Sequence, residues 1–252
     1  MAETLDQLIE AFLAEEVEES PTTATRLGIE GHDGRLGDFS AEGYARRERA
    51  EDGWVERFTK LSDDVMSFDE RIDRDLVLST LRGRQVMRSW SVWRRDPATY
   101  LGPCLSGIFS LFLNRTHADP ELAGFAGDRL REIPAVLEAA RANLDPSVAA
   151  PLFVERARGS CRAGIEYARN LVPAEVADDR LRRELAEAGE LAATALEGFL
   201  GFLDDLGERA QGDWALGEAR YSELLQHKEL LGYGAVAMRE RGRLAYDELS
   251  AE

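Results

Sequence analysis

The sequence is poor in the residues that build several common kinds of site. Its 252 residues include two cysteines and three histidines, too few for a disulfide framework or a zinc ribbon. We therefore predict that Cys104 and Cys161 are free thiols, as is usual in a reducing cytoplasm. Basic residues are outnumbered, with 31 Lys and Arg against 48 Asp and Glu. This acidic excess argues against binding to nucleic acid or to an anionic membrane surface.

Long hydrophobic runs are missing as well. No stretch approaches the roughly 18 consecutive apolar residues that a membrane-spanning helix needs, so none is predicted. The first residues, MAETLDQLIEAF, lack the basic region of a signal peptide. We therefore expect a cytoplasmic protein with neither a membrane nor a nucleic acid as its partner.

Strand patterns are scarce, whereas helix patterns recur along the chain. Alternating runs of Val, Ile and Thr are missing, and the helix formers Leu, Ala, Glu and Arg dominate. Capping boxes at residues 4–7 and 67–70 precede apolar stripes with the helical period. We predict an all-α protein of roughly eight to ten helices. It is expected to form a single unit over residues 1–252, or two packed helical lobes of about 1–145 and 146–252.

Prolines and glycines mark the expected boundaries of these helices. The segment 28–39, GIEGHDGRLGDF, contains four glycines and is predicted to be a loop. The helix that starts after Ser67 is expected to continue toward Trp93. Pro134 should break or kink a helix, and Asp145 with the proline after it should open another.

No recognised catalytic motif is present. The three histidines, His32, His117 and His227, lie in neither HExxH nor ExxH patterns, and GxSxG, P-loop and GxGxxG sequences are missing. We therefore name no catalytic, cofactor-binding or metal-ligating residue. Glu223 and His227 stand one turn apart, and a surface pair or a capping contact is favoured for them. Cys161 has arginines nearby that would lower its pKa, but a buried, inert thiol is favoured.

Five residues are candidates for the wall of a channel or ligand site. Trp90 and Trp93 would form an aromatic wall, unless their helical spacing places them in the core. Tyr100 and Phe109 belong to an uncharged stretch, YLGPCLSGIFSLFL, which is typical of a central core or an interface. His32 is a candidate ligand or base, although a solvated turn residue is the favoured interpretation because Asp and Gly surround it.

The order of five segments resembles a known family. These segments are ESPTTATRLGIEGHDGRLGDFS, DERIDRDLVLSTL, WRRDPATYLG with GIFSLFL, RLREIPAVLEAARANL and LGEARYSELL. From about Glu19 to about Leu225 they are similar to the N-terminal half of the bacterial domain-of-unknown-function 885 (DUF885) proteins. Those are large helical proteins that resemble zincin metallopeptidases with a carboxypeptidase-like architecture.

The resemblance implies a long-helix scaffold that forms one wall of a deep substrate channel. It also places a zinc motif of the HExxPGH type in the C-terminal half of the family, and no residue of this sequence matches that motif. Zinc is therefore expected only in the C-terminal half of full-length relatives, and no cofactor is expected in this chain. Whether the chain is an enzyme stays open at this point.

Three hypotheses remain open. The chain is the non-catalytic helical portion of a metallopeptidase-like hydrolase, which is inactive alone and has a C-terminal half or a second copy as its partner. Alternatively, it is a stand-alone helical binding or scaffold protein for a peptide, a small ligand or a protein. The third hypothesis is an independent enzyme of unrecognised type.

Burial of apolar residues separates the first two hypotheses. A helical portion that lacks its partner should expose part of its apolar interface, whereas a complete domain should bury it. The residues that decide are Ile108, Phe109, Phe112, Leu230 and Tyr233.

Overall fold

The structure is a computed structural model, and it describes residues 4–251. This part of the chain contains helices and no strand, and ten of the helices have six residues or more, which confirms the all-α prediction. A 3₁₀ turn (Asp63–Val65) and a π-helical turn (Tyr167–Leu171) accompany the α-helices. In chain order the helices are α1 (Leu5–Glu19), α2 (Pro21–Arg26), α3 (Ala41–Thr59), α4 (Phe68–Arg88), α5 (Val92–Arg95), α6 (Ala98–Asn114), α7 (Asp119–Asn143), α8 (Pro151–Glu166), α9 (Val172–Ala174), α10 (Asp179–Arg209), α11 (Glu218–His227) and α12 (Ala235–Ala251).

Contacts between Cα atoms divide the chain into two compact units. Unit 1 contains residues 1–11, 46–91 and 215–252, and unit 2 contains residues 12–45 and 92–214. These ranges differ from lobes that meet near residue 145. Compactness alone does not establish that a unit folds independently, so the domain organisation expected from the sequence stays a prediction.

Helix α10 is the centre of unit 2. It packs against α7 and α8, and α6 packs against α2, α7 and α8. Asp178 caps α10, because its carboxylate accepts hydrogen bonds from the backbone N–H groups of Arg180 and Leu181 at 2.8 and 3.0 Å. The buried face of α10 consists of apolar and small residues, namely Leu185, Ala188, Gly189, Ala192, Ala193, Leu196, Phe199, Leu203 and Leu206.

One glycine of α10 permits a close approach to the π-helical turn. A Cβ atom at Gly189 would lie 2.1 Å from the backbone oxygen of Ala168, a distance that only a shift of the backbone would relieve. The π-helical turn therefore rests directly on the backbone of α10. Its last residue, Leu171, remains exposed.

Unit 1 is held by α4, α11 and α12, with α11 packed against both of the others. The capping box at the start of α4 is formed, because Ser67 N–H donates to Glu70 Oε2 at 2.6 Å and Glu70 N–H donates to Ser67 Oγ at 3.2 Å. Helix α12 has no buried residue.

Other local predictions hold in detail. Thr4 N–H donates to Gln7 Oε1 at 3.1 Å, and Gln7 N–H donates to Thr4 Oγ1 at 3.3 Å, so the first capping box also forms. Gly28 has a φ of +74° just after α2, as expected of a glycine that ends a helix. Residues 28–39 contain no helix.

Two boundary predictions, at Trp93 and Asp145, were wrong, and of the break or kink expected at Pro134 the break is not found. Helix α4 ends at Arg88 and Ser91 adopts a φ of +53°, so the helix does not reach Trp93. Helix α7 continues through Pro134 without a break. Asp145 does not open a helix, because its carboxylate accepts the N–H of Ser147 in a local turn and α8 begins only at residue 151. A side chain that accepts an N–H in an Asx turn is not available to cap a helix.

None of the helices in residues 4–251 is long and apolar enough to cross a membrane.

Candidate functional site

The charged centre of unit 2 is Arg129, whose side chain on α7 is fully buried. Its Nε donates to the backbone oxygen of Arg35 at 3.0 Å, and Nη1 donates to the backbone oxygen of Gly107. Its Nη2 donates to Thr25 Oγ1 at 2.6 Å and to the backbone oxygen of His32 at 3.4 Å. All four acceptors are neutral oxygens, and they come from α2, the loop 28–39 and α6. The guanidinium therefore fastens the loop to the two helices.

Burial lowers the pKa of Arg129 to about 10, and the nearby carboxylates of Asp33 and Glu132 oppose this shift. The group therefore carries its charge at neutral pH. Glu132 also accepts the N–H of Leu36 at 2.7 Å. Two charged residues of α7 thus hold the backbone of the loop 28–39.

This loop forms one side of a small polar cavity of about 200 Å³, which we call the loop pocket. The end of α2, the start of the loop and two residues of the connection between α6 and α7 supply its lining. The lining residues are Thr25, Gly28, Ile29, Glu30, Asp33, Thr116 and His117. No Lys or Arg lines the pocket, while two carboxylates do.

Asp33 and His117 are neighbours in the lining of the loop pocket. Only 6% of the Asp33 side-chain surface is exposed, and Asp33 Oδ2 lies 3.6 Å from His117 Nε2. That distance is too long for a hydrogen bond. The ring of His117 stands edge-on to Phe125 with a centroid separation of 5.2 Å. The pair is therefore held in place, and its carboxylate faces the cavity without a hydrogen-bond donor from the described residues.

A second concave surface in unit 2 is almost entirely apolar, and we call it the apolar groove. It has a volume of about 410 Å³ and lies between α6, α8 and the π-helical turn. Phe109 is 52% exposed in this groove, although it sits in the uncharged stretch of α6. The lining residues are Leu105, Ser106, Phe109, Ala163, Gly164, Tyr167 and Leu171. Because π-helical turns occur often at functional sites, the groove is a second candidate site.

Tyr167, at the start of the π-helical turn, has an unusual phenol. Its hydroxyl oxygen is buried and has no hydrogen-bond partner among the described residues. Burial raises the pKa of this phenol well above its usual range, and the charge of Glu175 adds to the effect. Tyr167 is therefore an uncharged, largely apolar part of the groove.

Two of the predicted wall residues lie together in unit 2. Trp93 stacks on Tyr44 with ring centroids 4.8 Å apart and an angle of 10°. Tyr100 is fully buried and donates from its hydroxyl to the backbone oxygen of Trp93 at 2.6 Å. Asn143 donates to the Tyr100 hydroxyl at 3.1 Å. These aromatic residues fix α5 onto α6.

The other three predicted wall residues have separate environments. Trp90 is buried in unit 1, and Phe109 lines the apolar groove. His32 is buried, so the solvated position favoured for it was wrong. Arg35 donates to His32 Nδ1 at 2.8 Å, and the His32 backbone oxygen contacts Arg129. A role of any of the five in contacting a ligand stays a prediction.

The remaining sulfur and histidine residues offer little chemistry. Cys104 and Cys161 are free and buried, so the buried position favoured for Cys161 is confirmed, and burial raises the pKa of its thiol to about 12. Glu223 and His227 are exposed beside a hollow on unit 1. Within residues 4–251, no group of three His, Cys, Asp or Glu side chains could hold a metal ion. The expectation that zinc belongs to the C-terminal half of full-length relatives stays a prediction.

Sequence reasoning missed the loop pocket. In the sequence, Asp33 is typical of a turn beside glycine, and His117 belongs to no local metal motif. The two are 84 positions apart in the sequence, and no local pattern connects them. A signal did exist in Arg129, since an arginine on the apolar side of a helix must find several acceptors.

The comparisons with known proteins agree with the fold. A solved structure described as a "putative lipoprotein of unknown function" from Shewanella oneidensis matches with a TM-score of 0.84 and 17% sequence identity. The match covers 98% of this chain and 46% of that protein, so this chain spans about half of its length. At this identity the likeness shows the fold alone. No curated protein matches the sequence.

The family model described as "Bacterial protein of unknown function (DUF885)" matches residues 21–252. This range includes both candidate sites and covers most of the chain. The chain therefore belongs to the DUF885 family of bacterial proteins.

Proposed function

We propose that this chain is the helical, substrate-holding portion of a metallopeptidase-like hydrolase and that the catalytic residues come from outside it. The observation that carries the proposal is the apolar groove with the half-exposed Phe109. An aromatic side chain on a groove without charge is suited to holding an apolar side chain of a peptide. The resemblance of the five sequence segments to zincin-like relatives supports the choice of reaction.

The apolar residues that separate the hypotheses also favour this proposal. Phe109 and Leu230 are exposed by 52% and 58%, and Tyr233 is partly exposed. Ile108 and Phe112 are buried. A complete, closed domain would bury all five, so the mixture supports an apolar surface that serves a substrate or a partner.

Peptide binding by the purified chain tests the groove. We expect a fluorescent hexapeptide with a central phenylalanine to bind, and the same peptide with serine at that position to bind more weakly. Phe109→Ser should weaken binding of the phenylalanine peptide by about tenfold, the effect of losing one apolar contact. Leu113→Ser is the matched control, because Leu113 is exposed on the same helix and does not line the groove. Equal binding by wild type and Phe109→Ser would contradict the proposal.

Catalysis tests the division of labour. The isolated chain should hydrolyse no peptide, with or without added zinc. Chelator-sensitive peptidase activity of the isolated chain would show that a metal site assembles within it. Reading the coding frame past the codon for Glu252 separates the proposal from a stand-alone binding protein, since we expect the frame to encode an HExxPGH motif. The cytoplasmic location expected from the sequence remains a proposal.

A further inference from the structure

The carboxylate of Asp33 in the loop pocket has two neighbours that can carry a positive charge, His117 at 3.6 Å and Arg129, but neither donates a hydrogen bond to it. The side chain of Asp33 is 94% buried by the measure of its exposed surface, yet no described residue donates a hydrogen bond to it. A buried carboxylate without donors is costly. A native structure usually satisfies such a group with water, an ion or a ligand.

The charges around the cavity select the kind of ligand. Asp33 and Glu30 line it, and no Lys or Arg does. Arg129 is hydrogen-bonded to Thr25 of the lining, and its single positive charge is shared between Asp33 and Glu132. The remaining negative charge favours a monocation and disfavours an anion.

The hydrogen-bonding groups narrow the choice further. Thr25 Oγ1 donates to the backbone oxygen of Pro21 at 3.3 Å and accepts from Arg129, and a hydroxyl oxygen has a second lone pair. Thr116 offers another hydroxyl at the rim. Together with the Asp33 carboxylate, they give three acceptors. A primary ammonium group has three N–H donors.

We propose that the loop pocket binds a primary ammonium group, with the Asp33 carboxylate as its main acceptor. The cavity of about 200 Å³ accommodates the ammonium group and a short carbon chain, given the roughly 30 Å³ that one water molecule occupies in the liquid. The ammonium belongs either to a free small amine or to the N-terminus of a peptide. This site is separate from the apolar groove and does not depend on peptidase chemistry.

Histidine NMR signals of the intact chain provide the test. His117 lies within 3.6 Å of Asp33, while His227 is in unit 1, so one titration contains its own internal reference. The signals are assigned with His117→Gln and His227→Gln. At physiological salt, which screens weak binding to the acidic surface, propylammonium should shift the His117 signal saturably and leave His227 unchanged.

Matched ligands define the chemistry. 1-Propanol has the same length without the charge, and propyltrimethylammonium has the charge without N–H donors. Neither should shift His117 in the range where propylammonium does. An equal response to either ligand would overturn the proposal, as would tighter binding of calcium at the same signal. Glycinamide distinguishes the two sources of the ammonium group, with N-acetylglycinamide as its control without an ammonium group. Tighter binding of glycinamide than of propylammonium assigns the site to a peptide N-terminus. Weaker binding assigns it to a free amine.

Matched variants define the residue. Asp33→Asn should weaken propylammonium binding by about ten- to a hundredfold, as expected for a lost charge-assisted hydrogen bond. Asp205→Asn makes the same charge change on an exposed part of α10 and should leave affinity unchanged. Unchanged affinity in Asp33→Asn would overturn the proposal. Should circular dichroism show that Asp33→Asn is unfolded, the ligand comparison on the wild-type chain decides alone.

Discussion

Arg129 in unit 2 and Arg88 in unit 1 show two ways of using one side chain. Arg129 is buried and its hydrogen bonds reach neutral oxygens, mostly of the backbone. Arg88 is 23% exposed and binds the carboxylates of Glu51 and Asp52 at 2.9 Å. The first arrangement fixes the course of a loop, whereas the second joins the neighbouring helices α3 and α4 near the surface. The comparison indicates that the buried Arg129 determines the backbone course of the loop 28–39. Arg88 near the surface only links two helices.

The carboxylates near the two arginines differ in the same way. Asp52 accepts hydrogen bonds from Arg88 and Gln85, which hold its pKa below the usual range. Asp33 has no such donor and faces a cavity. The Asp52 carboxylate is thus satisfied within the surface cluster, whereas the Asp33 carboxylate remains an acceptor for a ligand.

Of the substitutions that test this comparison, Arg129→Met should lower the free energy of unfolding most. It removes four hydrogen bonds from buried acceptors and leaves Asp33 without its compensating charge. We expect a loss of about 3 kcal/mol or more in the free energy of unfolding, as for one partner taken from a buried ionic contact. Urea unfolding followed by circular dichroism measures it. Arg129→Lys should recover little, because an ammonium group has three donors and no planar fork.

A loss below about 1 kcal/mol in Arg129→Met would contradict this prediction, since that is the size of an ordinary substitution. Hydrogen exchange gives a second measurement. The amide of Leu36, which donates to Glu132, should exchange faster in Arg129→Met if the loop 28–39 loses its anchor.

Arg88→Met makes the same chemical change at the surface cluster and should cost less. Partly exposed ion pairs contribute about 1 kcal/mol or less, and salt screens them. We therefore expect the difference in the free energy of unfolding between wild type and Arg88→Met to shrink as sodium chloride rises to about 1 M. At that concentration, charges are screened over roughly 3 Å. The Arg129→Met difference should stay nearly constant in the same titration. Equal salt dependence of the Arg88→Met and Arg129→Met differences would contradict the distinction between a surface and a buried arginine.

The sequence predicts the helices better than it predicts the sites, and particular residues show why. Ser67 with Glu70, and Asp178, are local signals, since each cap acts within three residues of itself. Asp145 misled because an Asx turn and a helix cap use the same side chain. The helix predicted to continue toward Trp93 ends at Arg88, and nothing in the sequence pattern marks the positive φ of Ser91.

The candidate sites depend on contacts between distant parts of the chain. Phe109 was picked from an uncharged stretch, and its partial exposure in a groove depends on how α8 approaches α6. Asp33 lies beside His117 in a loop that Arg129 and Glu132 of α7 hold by its backbone. The helical period of apolar residues predicts which face of a helix is buried. It does not predict which polar side chain faces a cavity.

Asp96 offers the test with the smallest expected effect, since it is a partly buried carboxylate that forms no ion pair within 4 Å among the described residues. Burial raises its pKa, while its hydrogen bond from the Ala98 N–H and the charge of Arg156 oppose the shift. The raised pKa means that the folded state binds the proton more tightly than the unfolded state, so the contribution of Asp96 to stability falls as the pH rises above the unfolded value near 4. Asp96→Asn keeps an acceptor for Ala98 and has no charge to bury.

We expect this variant to be more stable than wild type at pH 7 by less than about 1 kcal/mol and to lose that advantage below pH 4. Urea unfolding of both chains across the pH range measures this. A variant that is less stable than wild type at pH 7, with a deficit that disappears in acid, would show that the Asp96 charge stabilises the fold, as the paired charge of Asp52 does.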